Sequence, residues 1–162
     1  MARTGPPDSV TPMGVVILVR HGQASFGADD YDVLSETGWD QGRRLGSWFT
    51  GRGIDPTVVV QGGMRRHRET ADAIGERASG WAERRTDAGW DEFDHLAVVA
   101  AYPDLPPGDL DRRAFQRAFE QATARWTGGG NDAEYAEPWP AFRARVASSM
   151  ASAVAQAASG RT

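Results

Sequence analysis

Apolar and polar positions alternate in blocks that read as strands and helices. Gly14 to Val19 is a continuous apolar run rich in Val and Ile, the pattern of a strand buried on both faces, and it stops at Arg20-His21-Gly22-Gln23. Gly27 to Asp32 is polar and loop-like. Ser35 is placed to cap a helix that continues to about Gly51, with Leu45, Trp48, Phe49 and the small Gly38 and Gly42 facing inward. Pro56 opens a second buried strand, Thr57 to Gln61, and Gly62-Gly63 leads into a helix whose inward stripe is Thr70, Ala71, Ile74 and Ala78. Such an alternation predicts an α/β sheet with helices on its faces. Further on, Trp90 to Asp94 is irregular and Tyr102 to Gly108 is a Pro-rich loop. Phe115, Ala118, Phe119, Ala122 and Trp126 mark one face of a helix, and Gly128-Gly129-Gly130 follows as a flexible link. The last helix begins near Pro138 to Pro140, with Phe142, Val146, Met150, Ala153 and Ala157 on its buried face and a stop at Ser159-Gly160.

With 162 residues the chain predicts one domain, spanning 14–162 behind a disordered leader, 1–13. There is no cysteine, which excludes disulfides, thiolate zinc sites and a cysteine nucleophile together. No apolar run approaches the roughly 18 residues of a membrane span, and the leader has no apolar signal core, so a soluble, cytoplasmic protein is expected. Eighteen basic against 22 acidic residues leave a net charge of −4, too mild for a general nucleic-acid or anionic-membrane binder. All 18 basic residues are arginine, so planar, permanently charged groups matched to phosphate are plentiful.

In open α/β sheets ligands gather at the carboxyl ends of the strands, and both candidate strands deliver Gly and Arg there. The first presents Arg20-His21-Gly22-Gln23; Gly22 lets a ligand approach the backbone. The second leads through Gly62-Gly63-Met64-Arg65-Arg66 into a helix N-terminus, a natural phosphate site. Guanidinium groups could hold a phosphoryl group there while the His21 imidazole attacks phosphorus in line. Plain readings hold elsewhere. Arg65, His67 and His95 read as surface residues without metal-ligand spacing, and Asp29-Asp30-Tyr31-Asp32 as a solvated loop without the full EF-hand pattern. The Phe115, Phe119 and Trp126 stripe reads as core.

Arg20-His21-Gly22, followed by Arg66 four residues before Thr70-Ala71, resembles the hallmarks of the histidine phosphatase superfamily, also called phosphoglycerate mutase-like. Leu34-Ser35-Glu36-Thr37-Gly38 resembles the family's helix start, and Trp90-Asp91-Glu92 the segment that presents its acid. The likeness runs from about residue 14 to 158. It implies a three-layer sandwich with a mostly parallel central sheet flanked by helices. It also implies His21 as the nucleophile that becomes a phosphohistidine, Arg20 and Arg66 as neutralisers of the phosphoryl oxygens, and Glu92 as the acid and then the base. Gly22 and Gln23 join Arg20 and Arg66 in the phosphate-binding set. Neither a metal nor an organic cofactor is implied.

Members usually carry a second histidine on a strand that follows the last helix, and no residue here fills that role. The expectation is therefore a fold truncated at its C-terminus, with three readings open: a fragment, a truncated gene product, or a subunit completed by another chain, a homo-oligomer included. The leading expectation is a metal-independent phosphatase acting on a small phosphorylated substrate. The alternatives are a mutase-type phosphoryl transfer and a catalytically weak phosphate-binding or interaction protein.

Overall fold

The computed structural model describes residues 14–25, 32–81 and 83–159. The expected leader, Gly27 to Tyr31 of the polar loop, and Gly160 of the helix stop lie outside the described residues. Contacts gather into two compact units, Met1–Ala88 with Met150–Thr162, and Gly89–Ser149.

The first unit contains helix α1 (Glu36–Gly51), strand β1 (Val58–Gln61), helix α2 (Arg65–Gly75) and strand β2 (Glu83–Thr86). Ser35 caps α1, its side chain accepting from the Gly38 backbone N–H at 3.1 Å. The buried positions of α1 are Gly38, Gly42, Gly46 and Phe49, a face built from missing side chains rather than large ones. At Gly46 an added Cβ would lie 2.2 Å from the Ile74 carbonyl oxygen, so α1 rests directly on the backbone of α2. Trp48, expected to face inward, is 46% exposed, because close contact along the glycine stripe leaves no room for an indole beside it. On α2 the buried residues are Arg66, Thr70, Ala71, Ala73 and Ile74. The expected stripe of Thr70, Ala71 and Ile74 is thus buried, and the helix ends before Ala78.

Strands β1 and β2 pair in parallel, from Val58 opposite Glu83 to Gln61 opposite Thr86. The Glu-Arg-Arg-Thr sequence of β2 carries no apolar signal, so the strand was not foreseen; Arg84 ties it to its surroundings through Gln61 and Asp72.

Residues 14–20 differ most from expectation. They form no strand among the described residues, and Val15 (71%) and Leu18 (63%) are exposed along with Ile17 and Val19. An apolar run becomes a strand buried on both faces only where it gains ladder partners and a covering layer on each side. The described sheet has only β1 and β2. The structure is therefore α/β, with five α-helices and a small parallel two-stranded sheet among the described residues.

The second unit is built around Trp126. Helices α3 (His95–Ala100) and α4 (Arg112–Gly128) pack together, and α5 (Trp139–Ala158) starts in this unit and ends in the first. Asp94 and Asp111 cap α3 and α4, accepting from Ala97 and Ala114 backbone N–H groups. Val98, Val99, Ala122, Trp126 and Tyr135 form the buried cluster, with Phe93, Phe115, Phe119, Trp139 and Phe142 packed against it. Phe93 stacks on Trp126 at 4.7 Å between ring centres, and the indole N–H donates to the Glu137 carbonyl at 2.9 Å. The aromatic face of α4 is therefore core.

Candidate functional site

The segment from His21 to Ser25 is fastened to α1 and α2 by its backbone. The Gln23 carbonyl accepts from the Ser35 N–H at 2.9 Å and the Ser35 hydroxyl at 3.2 Å, and the Gln23 N–H donates to Gln41 Oε1 at 2.9 Å. Ala24 and Leu34, both buried, form an antiparallel bridge. Gly22 lies so close to α1 that an added Cβ would be 2.6 Å from the Gly38 carbonyl oxygen; only glycine fits there.

Thr70 joins this loop to α2. Its buried hydroxyl donates to the Arg66 carbonyl at 2.7 Å and accepts from the Gly22 N–H at 3.0 Å. The Thr-Ala pair recognised in the sequence is thus a pin between the two halves of the site.

His21 is half-buried, and its Nδ1 lies 2.6 Å from the Gly22 carbonyl oxygen. A carbonyl only accepts, so Nδ1 is the donor in this contact, and in the neutral ring Nε2 is then the nitrogen without a proton.

Arg66 is buried at the first turn of α2 and is aimed by Asp32. One Asp32 oxygen accepts from the guanidinium at 2.7 Å and lies 3.4 Å from the Arg66 backbone N; the other accepts from the Arg65 backbone N–H at 2.7 Å. The carboxylate thus caps α2 and holds the charged side chain of its second residue. Burial alone pushes the Asp32 carboxyl up, but the hydrogen bonds from the Arg65 and Arg66 backbone and from the Arg66 guanidinium outweigh it and hold it below its ordinary value. Asp32 was read from the sequence as part of a solvated loop. Its tertiary position overturns that reading, and no local sequence signal marks it.

His67 was expected to be a surface residue. It is half-buried instead, its ring centre 5.9 Å from that of His21 with the planes tilted by 39°. A sequence signal existed: position 67 lies three and four residues before Thr70 and Ala71, on the inward face of the same helix.

The other predicted residues are placed differently. Arg20 is exposed at the end of the unpaired segment 14–20, and Gln23 is exposed and held through its backbone. Glu92 belongs to the second unit, in the irregular stretch before α3. That stretch is organised by Arg145 of α5, which donates to the carbonyls of Gly89 at 3.2 Å and Asp91 at 2.7 Å while pairing with Glu137. The hydrogen bond to Glu137 raises the Arg145 pKa further. Among the described residues, no three His, Asp or Glu side chains gather to hold a metal ion. No helix among them is long and apolar enough to cross a membrane.

The family model of the histidine phosphatase superfamily (branch 1) matches residues 16–162. No match was found among curated proteins or among solved structures.

Proposed function

Because the chain belongs to the histidine phosphatase superfamily, we propose that it hydrolyses a small phosphomonoester through a phosphohistidine on His21. Membership supports phosphoryl transfer of the phosphatase or mutase type in general. The observation that carries the finer reading is the Nδ1 contact of His21 with the Gly22 carbonyl, on a loop pinned through Thr70 to the helix of Arg66.

In this reading His21 Nε2 attacks phosphorus and forms a P–N bond. The ester P–O bond breaks, and its electron pair leaves with the ester oxygen, which takes a proton from Glu92. Water then attacks phosphorus, returning a proton to Glu92 as the P–N pair goes back to Nε2. Arg20 and Arg66 balance the charge on the phosphoryl oxygens, with Gly22 and Gln23 alongside, and preorganised positive charge is the main lever in such transfers. The part of Glu92 rests on its place in the sequence motif. The accompanying fold reading is a three-layer sandwich with a mostly parallel central sheet flanked by helices. A cytoplasmic setting and independence of metal ions complete the proposal.

The test is rapid quenching without acid during turnover of an aryl phosphate. Covalent phosphate is expected on His21 and is expected to vanish in His21→Ala. Phosphate trapped on another residue, or a product burst unchanged by His21→Ala, overturns the reading.

A further inference from the structure

The hydrogen-bond chain through Thr70 fixes more than Gly22 and Arg66. His21 directly precedes Gly22, and His67 directly follows Arg66, so the two imidazoles hang from the two ends of one relay. Each anchor is held a second time. Gly22 is pressed against Gly38, and the Arg66 backbone lies under the Asp32 cap. The His67 backbone N–H in turn donates to the Met64 carbonyl at 3.1 Å, as the first turn of α2 requires. The backbones that carry the two imidazoles are therefore fixed relative to each other, and the ring centres lie 5.9 Å apart.

This spacing suits one phosphoryl group shared by the two rings. With His21 Nε2 facing phosphorus at about 3–3.5 Å, an oxygen on that phosphorus comes within the roughly 2.8 Å reach of a donor on the neighbouring ring. His67 Nδ1 is buried, so the donor turned to the ligand is Nε2–H, and a phosphoryl oxygen is an acceptor with several lone pairs. We propose that His67 is a phosphate-binding residue of this site, donating an N–H to an oxygen of the phosphoryl group that His21 attacks. The inference rests on the phosphohistidine reading and adds a second imidazole to it. His67 takes no part in bond making. It completes, from the side of α2, a donor set that includes Arg66 on the same helical turn.

The chain contains only three histidines, which makes the test direct. His95, whose ring faces Phe119 in the second unit, serves as an internal reference. In the full-length chain labelled with nitrogen-15 at histidine, the ring resonances are followed while inorganic phosphate is added at constant pH. Signals of His21 and His67 are expected to move along one saturation curve while His95 stays still. His67→Phe keeps a flat ring beside His21 but removes the N–H, and it is expected to raise the Kd for phosphate about tenfold or more. A purely packing role leaves that constant unchanged. The proposal is overturned if the His67 signals stay still while those of His21 saturate, or if His67→Phe binds phosphate as the unaltered chain does. Should phosphate move neither ring, the phosphohistidine reading falls and this inference with it. The titration of the unaltered chain decides the matter even if the variant does not fold.

Discussion

Gly22 and Thr70, 48 positions apart in sequence, share a buried hydrogen bond of 3.0 Å that holds the histidine loop against α2. The same hydroxyl donates to the Arg66 carbonyl, so one side chain sets the position of the loop relative to the arginine. Removing it strands a buried N–H, and such groups cost about 1–3 kcal/mol. Thr70→Val, which keeps the shape and loses the hydroxyl, is expected to lower stability by that amount in urea unfolding and to reduce kcat. Thr70→Ser is expected to restore most of both. Equal stability of Thr70→Val and the unaltered chain removes the pin from the account.

Asp32 predicts a pH dependence. Its folded-state pKa lies below the unfolded value of about 3.9, so the native state binds fewer protons than the unfolded chain in the interval between them. The stabilisation is complete above about pH 4 and is lost as the pH falls through the lowered native value. Asp32→Asn is therefore expected to melt several degrees below the unaltered chain at pH 7, with the two melting curves converging as acid protonates the native carboxyl. A constant gap between them down to pH 2 contradicts the assignment.

Glu92→Gln tests the acid. Turnover of an alkyl phosphate is expected to fall by roughly 10²-fold or more, because its leaving oxygen needs a proton. A nitrophenyl phosphate, whose leaving group departs as an anion, is expected to lose much less. Equal losses for both substrates take Glu92 out of the acid role.

Two glycines of α1 are expected to respond in opposite directions. A Cβ at Gly46 meets the Ile74 carbonyl oxygen at 2.2 Å, whereas one at Gly51 meets nothing within 4 Å. Gly46→Ala is expected to destabilise by about 1–3 kcal/mol, and Gly51→Ala to be neutral or to add up to about 1 kcal/mol. Thermal unfolding of the pair separates a packing effect from the general preference of helices for alanine.

How much could be read from the sequence depends on where each feature gets its stability. Helices α1, α2, α4 and α5 were legible because their apolar or small residues recur at helical spacing, as Ala118, Ala122 and Trp126 show. Helix α3, with six residues, is too short to show a period, and β2 is polar throughout. The run 14–19 has strand composition, yet composition supplies no ladder partner. The site divides in the same way. Arg66 and Thr70 stand out on a helical face, whereas the clamp from Asp32 to α2 links residues more than thirty positions apart and leaves no local trace.

The glycine stripe of α1 also sets what this surface can tolerate. Gly38, Gly42 and Gly46 are each closed to even a methyl group by backbone or by an alanine of the opposing segment. Most protein interfaces absorb variation by repacking side chains, but here there are none on one side to repack. A substitution at any of the three must move the whole helix, and the Ser35 and Gln41 contacts carry that movement to Gln23, two residues from His21. The outward face of α1, with Glu36, Arg44 and Ser47, is open to change. In a library of α1 variants, tolerance is expected to follow a four-residue beat of forbidden positions, with loss of catalysis appearing before loss of fold at its N-terminal end.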